Sequence, residues 1–100
     1  IMILEHAFQK KVKNRLKEVP DLYHFTKEAL SIRGIPDLIG CYKGRFFAWE
    51  LKRSAKEASK TTGRIALQLY TLKLIRKAGG IGRVVHPNNF EECLEELLNL

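Results

Sequence analysis

The sequence predicts an α/β domain: a mixed central sheet with helices on its faces. Three observations predict it. Apolar residues recur at helical spacing in three segments. Short runs rich in β-branched and aromatic residues lie between them. The two kinds of segment alternate in the order α-β-β-β-α-β-α, which suits a sheet covered by helices. One hundred residues make one domain with a modest core, so residues 1–100 are read as a single unit.

Residues 3–18 read as the first helix. Leu4, Phe8, Val12 and Leu16 form its apolar stripe, Lys10, Lys11, Lys13 and Lys17 lie mostly off it, and Pro20 ends it. Leu22–Lys27 is predicted as a strand and residues 28–36 as a loop. Asp37–Tyr42 and Arg45–Lys52 are strand-like runs separated by Lys43-Gly44, a two-residue connection that signals a hairpin. Arg53–Gly63 is polar and basic and reads as a mobile loop. Thr61 or Thr62 is placed to cap the next helix, Arg64–Ala78, which Gly79-Gly80 stops. Its core stripe is Ile65, Leu69, Leu72 and Ile75. Ile81–His86 follows as a short strand broken by Pro87. Asn88 with Glu91 resembles a capping box for the last helix, Asn89–Leu98, which turns Phe90, Leu94, Leu97 and Leu98 inward.

The composition, 45% hydrophobic and 29% charged, is that of a soluble globule. No apolar run approaches the ~20 residues of a membrane span, and the short apolar start, Ile1 to Leu4, does not read as a signal peptide. Cys41 and Cys93 match no zinc spacing and are expected as reduced, buried thiols in a cytoplasmic protein. Charge is unevenly placed. From Lys43 to Arg83 there are eleven Lys/Arg against Glu50 and Glu57, whereas the tail from Val84 carries four Glu and no Lys/Arg. A basic middle suits a polyanionic partner, because Lys and Arg neutralise phosphates and release counterions. The alternative is a charge that serves solubility alone.

The hairpin carries the chemistry. With Lys43 and Gly44 as the loop, Tyr42 faces Arg45, Ile39 faces Ala48, and Asp37 faces Glu50. Residues directly opposite share a face, with Cβ atoms about 4.5–5.5 Å apart. Lys52, two residues beyond Glu50, points the same way. The rest of that face, Ile39, Cys41, Phe46 and Ala48, is apolar, as are Leu38, Trp49 and Leu51 on the reverse face. The hairpin is therefore expected at the centre of the sheet. Two carboxylates this close repel unless one is protonated or a cation lies between them, and a hard divalent cation bound by oxygens fits. The plain alternative is a local Glu50–Lys52 salt bridge with Asp37 capping a turn.

Gly34-Ile35-Pro36-Asp37, twelve further residues, then Glu50-Leu51-Lys52 resembles the PD-(D/E)XK nuclease superfamily. Ser31-x-x-Gly34-x-Pro36-Asp37 followed by a helix bearing Gln68 is similar to the virus-type replication-repair nuclease (VRR-NUC) family within it, and in outline to Holliday junction resolvases. The matching stretch, Ser31 to Gly80, is half the chain. The resemblance implies a restriction-endonuclease-like core, α-β-β-β-α-β, here with one added C-terminal helix. A proline often found before the Gln in relatives is missing. The resemblance also implies that Asp37 and Glu50 hold Mg²⁺ or Mn²⁺, with the backbone carbonyl of Leu51 as a further ligand. Lys52 would orient or deprotonate the attacking water or stabilise the phosphorane, roles between which the sequence does not choose. Relatives carry a first-helix Glu that reaches the metal, a part open to Glu5, whose other reading is a solvated helix-start carboxylate. Gln68 would bond Lys52 or the water, or be a simple boundary residue.

Arg33, Lys56, Lys60 and Arg64 are candidates for phosphate contact, or belong to a solvated loop. His6, His24 and His86 have no ligand spacing, and Tyr23 and Tyr70 are expected in the core. The reading is a Mg²⁺-dependent endonuclease acting on DNA, structure-specific for branched or four-way substrates, in replication, repair or recombination. The resemblance to resolvases implies a homodimer. A catalytically idle DNA-binding module is the alternative from another class, and an RNA-processing enzyme is a third.

Overall fold

The computed structural model describes residues 2–29 and 32–99, and of residues 2–5 and 29 the backbone only. Ser31 and the side chains of Leu4 and Glu5 therefore lie outside the described residues. The elements run α1 (Met2–Lys17), β1 (Leu22–Thr26), a 3₁₀ turn (Lys27–Ala29), β2 (Leu38–Tyr42), β3 (Arg45–Leu51), α2 (Ala55–Ala58), α3 (Arg64–Lys77), β4 (Ile81–Val85) and α4 (Phe90–Leu98). This is the anticipated order with two short additions, the 3₁₀ turn and α2.

The β2–β3 turn fixes the hairpin. Lys43 and Gly44 both have positive φ, 53° and 80°, the pattern of a two-residue turn whose twist matches the strands. The register follows: Tyr42 opposite Arg45, Ile39 opposite Ala48, Leu38 opposite Trp49. β1 adds antiparallel to β2, and β4 adds parallel to β3. Parallel neighbours need a crossover, and α3 supplies it. The sheet order β1-β2-β3-β4 leaves the hairpin central.

Alternation along the strands separates two cores. On one face Leu38, Phe47, Trp49, Leu51, Ile81 and Val85 pack against Phe8, Val12 and Leu16 of α1 and Phe90, Cys93, Leu94 and Leu97 of α4. Edge-to-face contacts link Phe8 to Phe90 and Phe90 to Trp49, with ring centroids 5.9 and 6.2 Å apart. On the other face Ile39 and Ala48 pack against Leu72 of α3, with Phe25, Ile35, Leu69, Ile75 and Val84 partly buried around them. Gly82 permits this contact, because a Cβ there would stand 2.6 Å from the carbonyl oxygen of Leu72. Among the described residues, no helix is long and apolar enough to cross a membrane.

Several local expectations are corrected. Tyr23 and Cys41 are exposed, because α3 covers the Phe25–Ile39–Ala48 row and leaves the neighbouring Tyr23–Cys41–Phe46 row open, and Tyr70 is exposed on α3 itself, off the side that buries Ile65 and Leu72. Cys93 is buried as anticipated, and its thiol is pushed up to about 11, chiefly by burial. Residues 53–63 are not a featureless loop. Ser54 Oγ accepts the Glu57 N–H at 3.2 Å and caps α2, while Glu57 pairs with both Arg53 and Lys60. Gly63, not a threonine, precedes α3, and no side chain caps it. No capping box forms before α4. Asn89, not Asn88, is its N-cap, and the Asn89 side chain ties the turn instead, accepting from His86 N–H at 2.8 Å and donating to Val84 O at 3.0 Å.

Candidate metal centre

The segment before β2 sets the position of Asp37. Gly34 has φ +77°, a conformation glycine adopts without strain, and Pro36 is fully buried. The Lys27 N–H then donates to Asp37 O at 3.0 Å, extending the β1–β2 pairing by one step. With β3 and β4 beyond, one row crosses the sheet on the face that α3 covers: Lys27, Asp37, Glu50 and Val84.

The two carboxylates are interlocked. Asp37 N–H donates to Glu50 Oε1 at 3.1 Å, and Leu51 N–H donates to Asp37 Oδ2 at 2.9 Å. The remaining oxygens each meet an ammonium: Asp37 Oδ1 lies 3.0 Å from Lys27 Nζ, and Glu50 Oε2 lies 3.3 Å from Lys52 Nζ. Glu50 is the buried charged residue of the core, 2% exposed. Burial, with the Asp37 charge second, pushes its carboxyl up to about 7 against the opposing pull of Lys52 and Lys27. Burial alone would lower Lys27, but its hydrogen bond and charge pairing with Asp37 hold it above its ordinary value.

This donor set suits a hard divalent cation. Two adjacent carboxylates, locked together by backbone N–H groups, offer the hard oxygen donors that Mg²⁺ takes when it keeps several of its waters. Among the described residues no third His, Cys, Asp or Glu completes a three-ligand cluster. The structure thus brings Asp37, Glu50, Leu51 and Lys52 together. Gln68 sits half-buried on α3, between buried Ile65 and Leu72, and makes no hydrogen bond among the described residues. The Glu5 side chain lies outside the described residues. One turn further along α1, Gln9 and Lys13 line a small cleft with Thr26, Glu28, Asp37 and Leu51, so α1 does border the centre.

Arg33, Lys56, Lys60 and Arg64 are all exposed, but Lys60 Nζ is held 2.7 Å from Glu57. Three other cations of the basic middle are structural: Arg45 and Arg76 donate to the carbonyls of Gly79 and Gly82, and Arg83 forks onto Glu96.

Lys27 was not legible as a site residue in the motif. A signal for Lys27 exists in the register: continuing the Leu22–Tyr42 pairing inward sets residue 27 opposite residue 37. Compared with models of protein families, with curated proteins and with solved structures, the chain gives no match in any of the three.

Proposed function

We propose that this chain is a metal-dependent nuclease that hydrolyses phosphodiester bonds in DNA, as its resemblance to the PD-(D/E)XK superfamily and the VRR-NUC family implies. The observation that carries the reading is the interlocked Asp37–Glu50 pair on one sheet row, with Lys52 3.3 Å from Glu50. A buried carboxylate kept beside another carboxylate costs stability, and a module that only binds phosphate gains nothing from it.

Asp37 and Glu50 would hold Mg²⁺ or Mn²⁺, with the carbonyl of Leu51 as a further donor. When bound, the ion supplies Lewis-acid polarisation of the phosphate and a lowered pKa for its water. The backbone N–H groups of Asp37 and Leu51 fix both carboxylates in place, so little reorganisation is required. Lys52 keeps an ammonium beside Glu50 with about a quarter of its side chain, 24%, open to solvent. It can therefore face a phosphate oxygen and offset the charge that develops there. Gln68, half-buried on α3, would orient Lys52 or the attacking water, as the resemblance implies. Arg33, Lys56 and Arg64 offer exposed charge for the DNA backbone, and a homodimer would place one site on each strand.

The test is incubation of the protein with supercoiled plasmid, a four-way junction and an RNA hairpin, each with Mg²⁺, Mn²⁺ or EDTA. Cleavage of DNA that EDTA abolishes is the expected result. Binding without cleavage in either metal would assign an idle module, and cleavage of RNA alone would move the substrate class. Sedimentation at tens of micromolar reports the oligomeric state.

A further inference from the structure

Each carboxylate of the centre carries a lysine, and the two lysines are held differently. Lys52 stands at the end of β3, and its side chain is 24% exposed. Lys27 begins the 3₁₀ turn after β1, and its side chain is 44% exposed. Its main chain is fixed, since its N–H donates to Asp37 O, but its ammonium reaches Asp37 Oδ1 from the solvent side. With Glu50 ionised, two carboxylates and two ammoniums leave this cluster neutral. A divalent ion at Asp37 meets an occupied oxygen and a like charge 3.0 Å from it.

We propose that Lys27 is a built-in competitor for the metal site. It neutralises Asp37 in the metal-free protein and turns out to solvent when a divalent ion is taken up, which weakens divalent binding. Lys52 has a buried carboxylate for a partner and stays. This inference rests on the reading of Asp37 and Glu50 as metal ligands. It makes Lys27 a positioning residue that acts through Asp37, and it needs only a side-chain rotation, because the backbone pairing of residue 27 with residue 37 is unaffected.

The experiment is calorimetric titration of Mn²⁺ into the metal-free wild type and into K27Q, K27M, K27R and D37N at low ionic strength. Melting temperatures are measured alongside in EDTA and in Mn²⁺. The neutral replacements K27Q and K27M are expected to bind Mn²⁺ about tenfold more tightly and to show a larger Mn²⁺-induced rise in melting temperature. K27R keeps the competing charge and should bind like the wild type, and D37N should lose binding. If D37N loses binding while K27Q and K27M bind no more tightly than the wild type, Lys27 does not compete and the inference is overturned, with the metal site intact. If D37N binds Mn²⁺ as the wild type does, the metal site itself is misassigned and the inference falls with it. The melting curves in EDTA show which variants are folded, so a loss of structure is not read as a loss of affinity.

Discussion

The two faces of the sheet are covered to different extents. The face toward α1 and α4 is closed: Leu38, Phe47, Trp49 and Val85 are wholly buried, and four aromatic side chains, Phe8, Phe47, Trp49 and Phe90, interlock across it. The face toward α3 is closed only in the middle. At one end lie Lys27, Asp37 and Glu50, and at the other Tyr23 and Phe46 remain 68% and 45% exposed. One face supplies the stability that the other gives up, since a buried Glu50 beside Asp37 is a cost the fold must carry.

That contrast can be broken from either side. On the closed face, Trp49→Ala removes the largest buried side chain and should cost about 3–5 kcal/mol, read by denaturant unfolding. An effect below about 1 kcal/mol would mean that this face is not the stabilising one. On the open face, Lys52→Ala should lower cleavage at least a hundredfold, about 2.7 kcal/mol of barrier, while the variant still folds and still binds Mn²⁺. Equal losses in binding and turnover would make Lys52 a structural partner of Glu50 and nothing more.

Glu50 sharpens the comparison through pH. Its folded-state carboxyl is raised from the ordinary 4.5 to about 7. Between those values the folded protein holds a proton that the unfolded chain has released. Metal-free stability should therefore fall as pH rises from about 4.5 to about 7 and level off above. Glu50→Gln removes this slope, so in EDTA at pH 8 it should melt higher than the wild type. The smallest effect concerns the basic segment. Arg64→Ala should flatten the salt dependence of DNA binding by about one unit of log–log slope, and Lys60→Ala by less, because Glu57 already holds Lys60 at 2.7 Å.

The hairpin was legible because Lys43-Gly44 dictates a two-residue turn, and the turn dictates the register that sets Asp37 against Glu50. The helices were legible from their stripes, and Phe8, Val12, Leu16, Phe90, Leu94 and Leu97 are all buried. Lys27 was hidden because no short turn joins β1 to β2. Nine residues separate Lys27 from Asp37, and nothing local in such a stretch fixes which residues pair across it. The exposure of Tyr23 and Cys41 was hidden for another reason: residue type reports what can be buried, whereas coverage depends on where α3 crosses the sheet. At the start of α4 two adjacent asparagines offered the same chemistry, and the turn after β4 selected Asn89.

The most direct test is plasmid nicking by Asp37→Asn and Glu50→Gln beside the wild type, in Mg²⁺ and in EDTA, with melting curves on the same samples. Both substitutions remove charge while keeping an oxygen to accept the backbone N–H that each carboxylate now binds. Metal-dependent nicking by the wild type, a loss of at least a thousandfold in each variant, and melting temperatures no lower than wild type in EDTA are the predicted result. Nicking by either folded variant at the wild-type rate would contradict it.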